Sequence, residues 1–250
     1  SARSVFFPPS GIPQFGEHYY RPLGVVSYLV DEAVAARLWP LEQREKARRV
    51  VYHASPILYH VVATELVLVL GLVIATAAGT VGAAEVAAVG AAALVFAVHP
   101  IHVESVAWMA GRSDVICGVF FLGSLIAYIQ YRRRGNVGLL AASVLLALGA
   151  MFCKETGLGI LLVAPLVDWL VEPRPADKPA TASRAERRRH ARAAQDRAPA
   201  AGDRRLPVVA GWAGLGIAAL LYLVLRKFAI SSVSSPAVSR FPDLLQLPGA

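Results

Sequence analysis

Two short blocks of the 250-residue chain hold most of the side chains that could do chemistry. The first runs His99-Pro100-Ile101-His102-Val103-Glu104 and on to Gly111-Arg112-Ser113-Asp114; the second is Cys153-Lys154-Glu155-Thr156-Gly157. Imidazoles and carboxylates so placed can move protons, and Arg112, Lys154 and the earlier Arg21 can neutralise a phosphate. The spacing His-x-x-His-x-Glu also permits a divalent metal ion, with His102 and Glu104 as ligands. A metal centre wants three or four such donors, however, and H-E-x-x-H is absent. No G-x-S-x-G, P-loop or dinucleotide fingerprint occurs, so hydrolase and nucleotidase readings lose support.

The elements that must position these groups are apolar. Hydrophobic residues make up 56% of the chain and charged ones 17%, which points away from a soluble domain. Several apolar runs approach the roughly 20 residues that cross a ~30 Å hydrocarbon core. The sequence therefore predicts an all-α, multi-pass transmembrane helical bundle of about six spans, at 56–75, 83–98, 115–131, 137–152, 157–171 and 206–229. Residues 1–55 read as a non-cytoplasmic loop with surface helices, 172–205 as a basic cytoplasmic linker, and 230–250 as a non-cytoplasmic tail. Cys117 and Cys153 lie in or beside apolar runs with no C-x-x-C partner, so no disulfide framework is implied. The start at Ser1 and the end at Ala250 read as those of a segment of a longer membrane protein.

The net charge of +8 fits membrane orientation better than nucleic acid, because the basic residues sit beside apolar spans and in one hydrophilic insert. No nucleic-acid partner is expected. Arg132-Arg133-Arg134 and the basic stretch from Arg174 to Arg205 face the cytoplasm by the positive-inside rule. Arg44, Lys46, Arg48, Arg49, Arg226 and Lys227 stand against that rule. Arg21 and both motif blocks then share the outer face. Ionisable groups at such depth are costly unless they face a cavity or pair, so one polar mouth is expected there.

Locally, a helix from Pro100 to about Met109 would align Glu104, Trp108 and Arg112, and Ser113 or Asp114 would cap the next span. The positive ends of both helices would face an anion. Plainer structural roles exist for each residue: His99 and His102 at an interface, Arg112–Asp114 and Lys154–Glu155 as capping ion pairs, His53 and His60 in packing, and Trp39, Trp169 and Trp212 in an interfacial belt.

Tyr20-Arg21-Pro22-Leu23, Tyr52-His53 with His60, the block Val98 to Asp114, and Cys153-Lys154-Glu155-Thr156-Gly157 form an ordered series. It resembles the membrane half of the transmembrane and tetratricopeptide-repeat-containing O-mannosyltransferases and their bacterial relatives, in the GT-C glycosyltransferase superfamily, from Tyr20 to Leu170. The resemblance implies transfer of a sugar from a polyprenyl-phosphate-linked donor to a hydroxyl, usually a protein Ser or Thr, on the non-cytoplasmic face. It implies Arg112, Lys154 and Arg21 for the donor phosphate, and Glu104, Asp114 and His102 as the catalytic set. Glu155 and His99, with Asp114, would orient them, and His102 and Glu104 would hold a divalent ion or position the acceptor. The acidic pair that family members carry after their first membrane helix is not within these residues, since Asp31-Glu32 follows the R-P-L motif; the repeat domain is not within them either. A metal-handling transporter using His99, His102 and Glu104, and a non-catalytic scaffold, are the alternatives from other classes. High Ala, Arg and Gly usage points to a bacterial inner membrane, with the endoplasmic reticulum membrane as the topologically equivalent alternative.

Overall fold

The computed structural model describes residues 20–79, 81–171 and 205–233. Their regular structure is helical: α1 Pro22–Leu38, α2 Arg44–Ala78, α3 Ala83–Val98, α4 His102–Ala107, α5 Arg112–Arg134, α6 Val137–Cys153, α7 Ile160–Val171 and α8 Arg205–Val233. Three-residue 3-10 turns precede α2 and α5, and the turn Glu155–Gly159 joins α6 to α7. Among the described residues three stretches are long and apolar enough to cross a membrane, Leu41–Ala77, Met109–Arg134 and Val208–Ile230. The apolar helices α3 and α6 are shorter, and α7 has 12 residues, so the expected six spans are not all of crossing length. The linker expected at 172–205 and the tail expected at 230–250 lie outside the described residues except at their inner ends, where Arg205 and residues 230–233 belong to α8 instead.

Local chemistry sets the boundaries. Pro22 occupies the first turn of α1, and Trp39 is extended because Pro40 follows it. Gly79 and Gly135, at φ 75° and 67°, close α2 and α5 in the left-handed conformation that L side chains avoid. The Asn136 side chain accepts from the Gly138 amide to start α6. α2 begins at Arg44 rather than near Pro56, because the charged run Glu42 to Arg49 forms its solvated first turns and Pro56 lies inside it.

Cross-contacts fix the helix directions. Arg112 at the start of α5 reaches Tyr52 near the start of α2, and Arg133 at the end of α5 reaches Thr76 near the end of α2, so these two run parallel. α8 runs antiparallel to α5: Trp212 meets Asp168 beside Arg132, while Arg226 meets Glu155 at the opposite end. The core between α5, α6, α7 and α8 is built on Tyr128, Ile129, Met151, Ile160, Leu215 and Tyr222. Ser124 donates to the Ser143 carbonyl at 2.8 Å, an interhelical bond between small residues that lets α5 and α6 approach closely. At the α5 C-terminal end the Asp168 carboxylate takes bonds from Tyr128, Arg132 and Trp212 at 2.6–2.9 Å, tying α5, α7 and α8 together. Trp212 is thus a hydrogen-bond donor and not merely a belt residue.

Candidate functional site

A polar mouth at one end of the bundle is assembled from four chain segments. Lys154 follows the last turn of α6, and its ammonium pairs with Asp114 in the first turn of α5. The next residue, Glu155, accepts from Arg21 at 3.1 Å, and its other oxygen lies 3.8 Å from the Arg226 guanidinium. Arg21 precedes α1 and Arg226 sits late in α8, so one carboxylate gathers the two ends of the described chain. Burial alone would raise the Glu155 pKa, but the amide of its own residue and the bond and charge of Arg21, with the charge of Arg226, outweigh it and hold that pKa below the ordinary value. These side chains are partly exposed, from 25% for Arg21 to 37% for Asp114.

Arg112 does not join them. Its side chain is fully buried, donating from one nitrogen to Asp31 at 2.6 Å and from the other to the Tyr52 carbonyl at 3.0 Å. Its charge lies 4.1 Å from the Tyr28 ring centre and 5.4 Å from that of Tyr52. The Tyr52 carbonyl is available because Pro56, four residues on, has no N–H to return to it. The expected Pro100–Met109 helix explains the misplacement. It runs only from His102 to Ala107, and Trp108 is extended at φ −86°, ψ 120°, because Gly111 turns back against the Glu104 carbonyl and Ser105. Glu104 and Trp108 therefore stay exposed while Arg112 is swung inward. α5 starts on Gly111 and Arg112, without a Ser113 or Asp114 cap.

The histidines gather with Phe96 in an aromatic group of mostly tilted and edge-on rings. His102 lies 4.3 Å from Phe96 and 5.0 Å from His60, ring centre to ring centre, and 6.3 Å from His99. His60 Nε2 is bonded to the Ala97 carbonyl at 3.0 Å, and His99 Nδ1 accepts from the Ile101 amide at 3.2 Å. Among the described residues no three His, Cys, Asp or Glu side chains converge, so His102 and Glu104 do not fit a protein-built divalent metal centre. Burial, then the charges of His60 and His99, hold the His102 pKa below its ordinary value. A histidine lowered in this way binds its proton more readily unfolded. Stability should be full above the ordinary value of about 6.5 and fall as pH drops from there through the folded-state value. Melting curves from pH 8 to 5 should show this slope in the wild type and a shallower one in His102→Phe; parallel curves would refute the linkage.

The structure thus brings Arg21, Lys154, Asp114 and Glu155 together, places Glu104, His99 and His102 at the same end, and sends Arg112 inside. Asp31, Arg226 and Tyr222 were not among the expected site residues. The signal for Asp31 was the stripe Gly24, Ser27, Asp31, Ala35, which is the buried face of α1. Arg226 was visible as a cation resisting the orientation rule.

No family model and no solved structure matches the chain. Curated relatives do. "Protein O-mannosyl-transferase Tmtc1" of Drosophila melanogaster is 36% identical over 154 residues, covering 60% of this chain and 16% of the relative. "Protein O-mannosyl-transferase Tmtc2" of the same fly is 32% identical over 155 residues, 60% of this chain and 15% of the relative. "Protein O-mannosyl-transferase TMTC4" of Homo sapiens is 40% identical over 87 residues, 32% of this chain and 12% of the relative. The chain spans less than a fifth of the length of these relatives. Over the shared 154–155 residues the chain is similar to these protein O-mannosyl-transferases.

Proposed function

We propose that this chain forms the outer mouth of a membrane O-mannosyltransferase, moving a sugar from a polyprenyl-phosphate-linked donor to a Ser or Thr hydroxyl of a protein. The observation that carries this reading is the pairing of Lys154 with Asp114 beside Arg21, Glu155 and Arg226, at the end of the bundle opposite Arg132–Arg134. The relatives' names supply the reaction class. In a bacterial inner membrane or an endoplasmic reticulum membrane alike, this mouth faces away from the cytosol.

Transfer makes a bond from the acceptor oxygen to the sugar's anomeric carbon and breaks the bond from that carbon to the phosphate oxygen. The leaving group is the polyprenyl phosphate, whose charge Lys154 and Arg21 neutralise while Asp114 holds Lys154 in place. The acceptor proton goes to a carboxylate. Of the motif carboxylates, Asp114 and Glu155 are ion-paired, and exposed Glu104 is free to take it.

The test is transfer of radiolabelled mannose from polyprenyl-phosphate mannose to a Ser/Thr peptide by the intact protein in proteoliposomes. Lys154→Ala should lower turnover on the order of 100-fold with the helical spectrum unchanged. Wild-type turnover in Lys154→Ala would overturn the assignment of Lys154, and absence of transfer from any polyprenyl-linked sugar would overturn the function.

A further inference from the structure

We propose that Arg226, with Arg21 and the hydroxyls of Tyr20 and Tyr222, forms a phosphate seat that the Glu155 carboxylate occupies when no ligand is bound. The seat rests on the function proposed above only for its occupant being the donor's phosphate.

Arg226 is held loosely. Its one ion-pair contact, with Glu155 at 3.8 Å, is longer than a hydrogen bond, and its Nε is buried without a partner among the described residues. One turn earlier on the same face of α8 is Tyr222, fully buried, with a hydroxyl that likewise finds no partner. Tyr20, next to Arg21 in sequence, is 5% exposed and its hydroxyl is in the same condition. The rings of Tyr20, Tyr222 and Phe152 lie mutually 6.1–6.2 Å apart, forming an apolar floor under the charges. Tyr222 stands one turn before Arg226 on α8, Tyr20 directly precedes Arg21, and the Tyr20 and Tyr222 rings are in contact, so the two phenols and the two cations share one locality.

Buried donors without partners are unfavourable in a finished core and are expected where a ligand completes the bonding. Two guanidiniums flanking one carboxylate present the arrangement that a phosphate, with more oxygens and more charge, would take over by displacing that carboxylate. Glu155 then acts as a competitor for its own site. It keeps two like charges together in the empty mouth and weakens ligand binding by the strength of that contact.

The test measures binding, not transfer, with the protein in lipid nanodiscs, using polyprenyl phosphate in one arm and inorganic phosphate in the other. Glu155→Gln should tighten binding about tenfold, Arg226→Gln should weaken it about tenfold, and Tyr222→Phe, which changes little in shape, should weaken it several-fold. Arg226→Lys, which keeps the charge and loses the fork, should bind between wild type and Arg226→Gln, and serves where Arg226→Gln folds poorly. Binding of polyprenyl phosphate alone identifies a lipid headgroup as the occupant; equal binding of inorganic phosphate identifies a free phosphate. Unchanged or weaker binding in Glu155→Gln, or wild-type binding in Arg226→Gln, overturns the seat. Glu155→Gln tightening in a protein that transfers no sugar would preserve the seat and remove the transferase, so the two failures are separable.

Discussion

Arg112→Ala should destabilise the protein by about 3–5 kcal/mol, the range for removing one partner of a buried ion pair. The cost follows from what the substitution strands. Asp31 is 3% exposed, and without the guanidinium its carboxylate keeps only the Ser55 hydroxyl at 2.8 Å. The Tyr52 carbonyl, already denied its helical partner by Pro56, loses its donor as well. The rings of Tyr28 and Tyr52 lose the cation they flank. Replacing both charges, as in Asp31→Leu with Arg112→Leu, should recover much of the loss, because an apolar pair of fitting volume leaves no charge uncompensated. Equilibrium denaturation in detergent, run as a double-mutant cycle, reads both values. A loss under about 1 kcal/mol for Arg112→Ala would mean that the pair is solvated and that Arg112 is available to the mouth. The folded fraction of the variant should bind polyprenyl phosphate as the wild type does, since neither Asp31 nor Arg112 belongs to the Glu155 cluster.

The same pair shows where sequence reading succeeds and stops. α3 and α6 stand where apolar runs are bounded by clear punctuation: Gly82 before and His99-Pro100 after the first, Asn136 before and Lys154 after the second. The start of α2 was displaced because Pro56 is an unfavourable helix residue by its own nature, and only a guanidinium from a distant helix offsets the carbonyl it leaves free. Convergence of Arg21, Lys154, Asp114 and Glu155 at one mouth was legible from alternating loops and the cost of charge in lipid. The pairing was not. Sequence neighbours Arg112–Asp114 and Lys154–Glu155 suggested themselves as partners, but residues one or two apart on a helix do not face each other. The true partners come from elsewhere in the chain: Asp31 for Arg112, Asp114 for Lys154, Arg21 and Arg226 for Glu155. Asp31 was set aside because it follows the R-P-L motif. Its position on the small-residue stripe of α1 is what brings it inside.

Gly157→Ala is the other substitution with a large expected effect. A Cβ at this position would lie 2.6 Å from the Ala150 carbonyl carbon and the Met151 nitrogen, and 2.9 Å from the Ala150 oxygen. These are backbone atoms of the last turn of α6, which cannot rotate aside as a side chain could. The loss should therefore reach or exceed the upper end of the 1–3 kcal/mol that ordinary overpacking costs, about 3 kcal/mol or more. The turn Glu155–Gly159 would have to lift from α6, and Lys154 and Glu155 would leave Asp114, Arg21 and Arg226 together. Two glycines supply the contrast. A Cβ at Gly159 meets only a Phe121 ring carbon at 3.8 Å, and one at Gly90, within α3, meets nothing within 4 Å. Gly159→Ala should be nearly neutral, and Gly90→Ala should gain about 0.5–1 kcal/mol from helix propensity. Thermal melts of the three variants test the ordering. If Gly157→Ala melts with the wild type, the turn does not press on α6, and the mouth has no rigid corner to hold its charges in register. If it melts far below while Gly159→Ala does not, the terminal glycine of Lys154-Glu155-Thr156-Gly157 is there for contact between backbones, and the chemistry of the block rests on Lys154 and Glu155 alone.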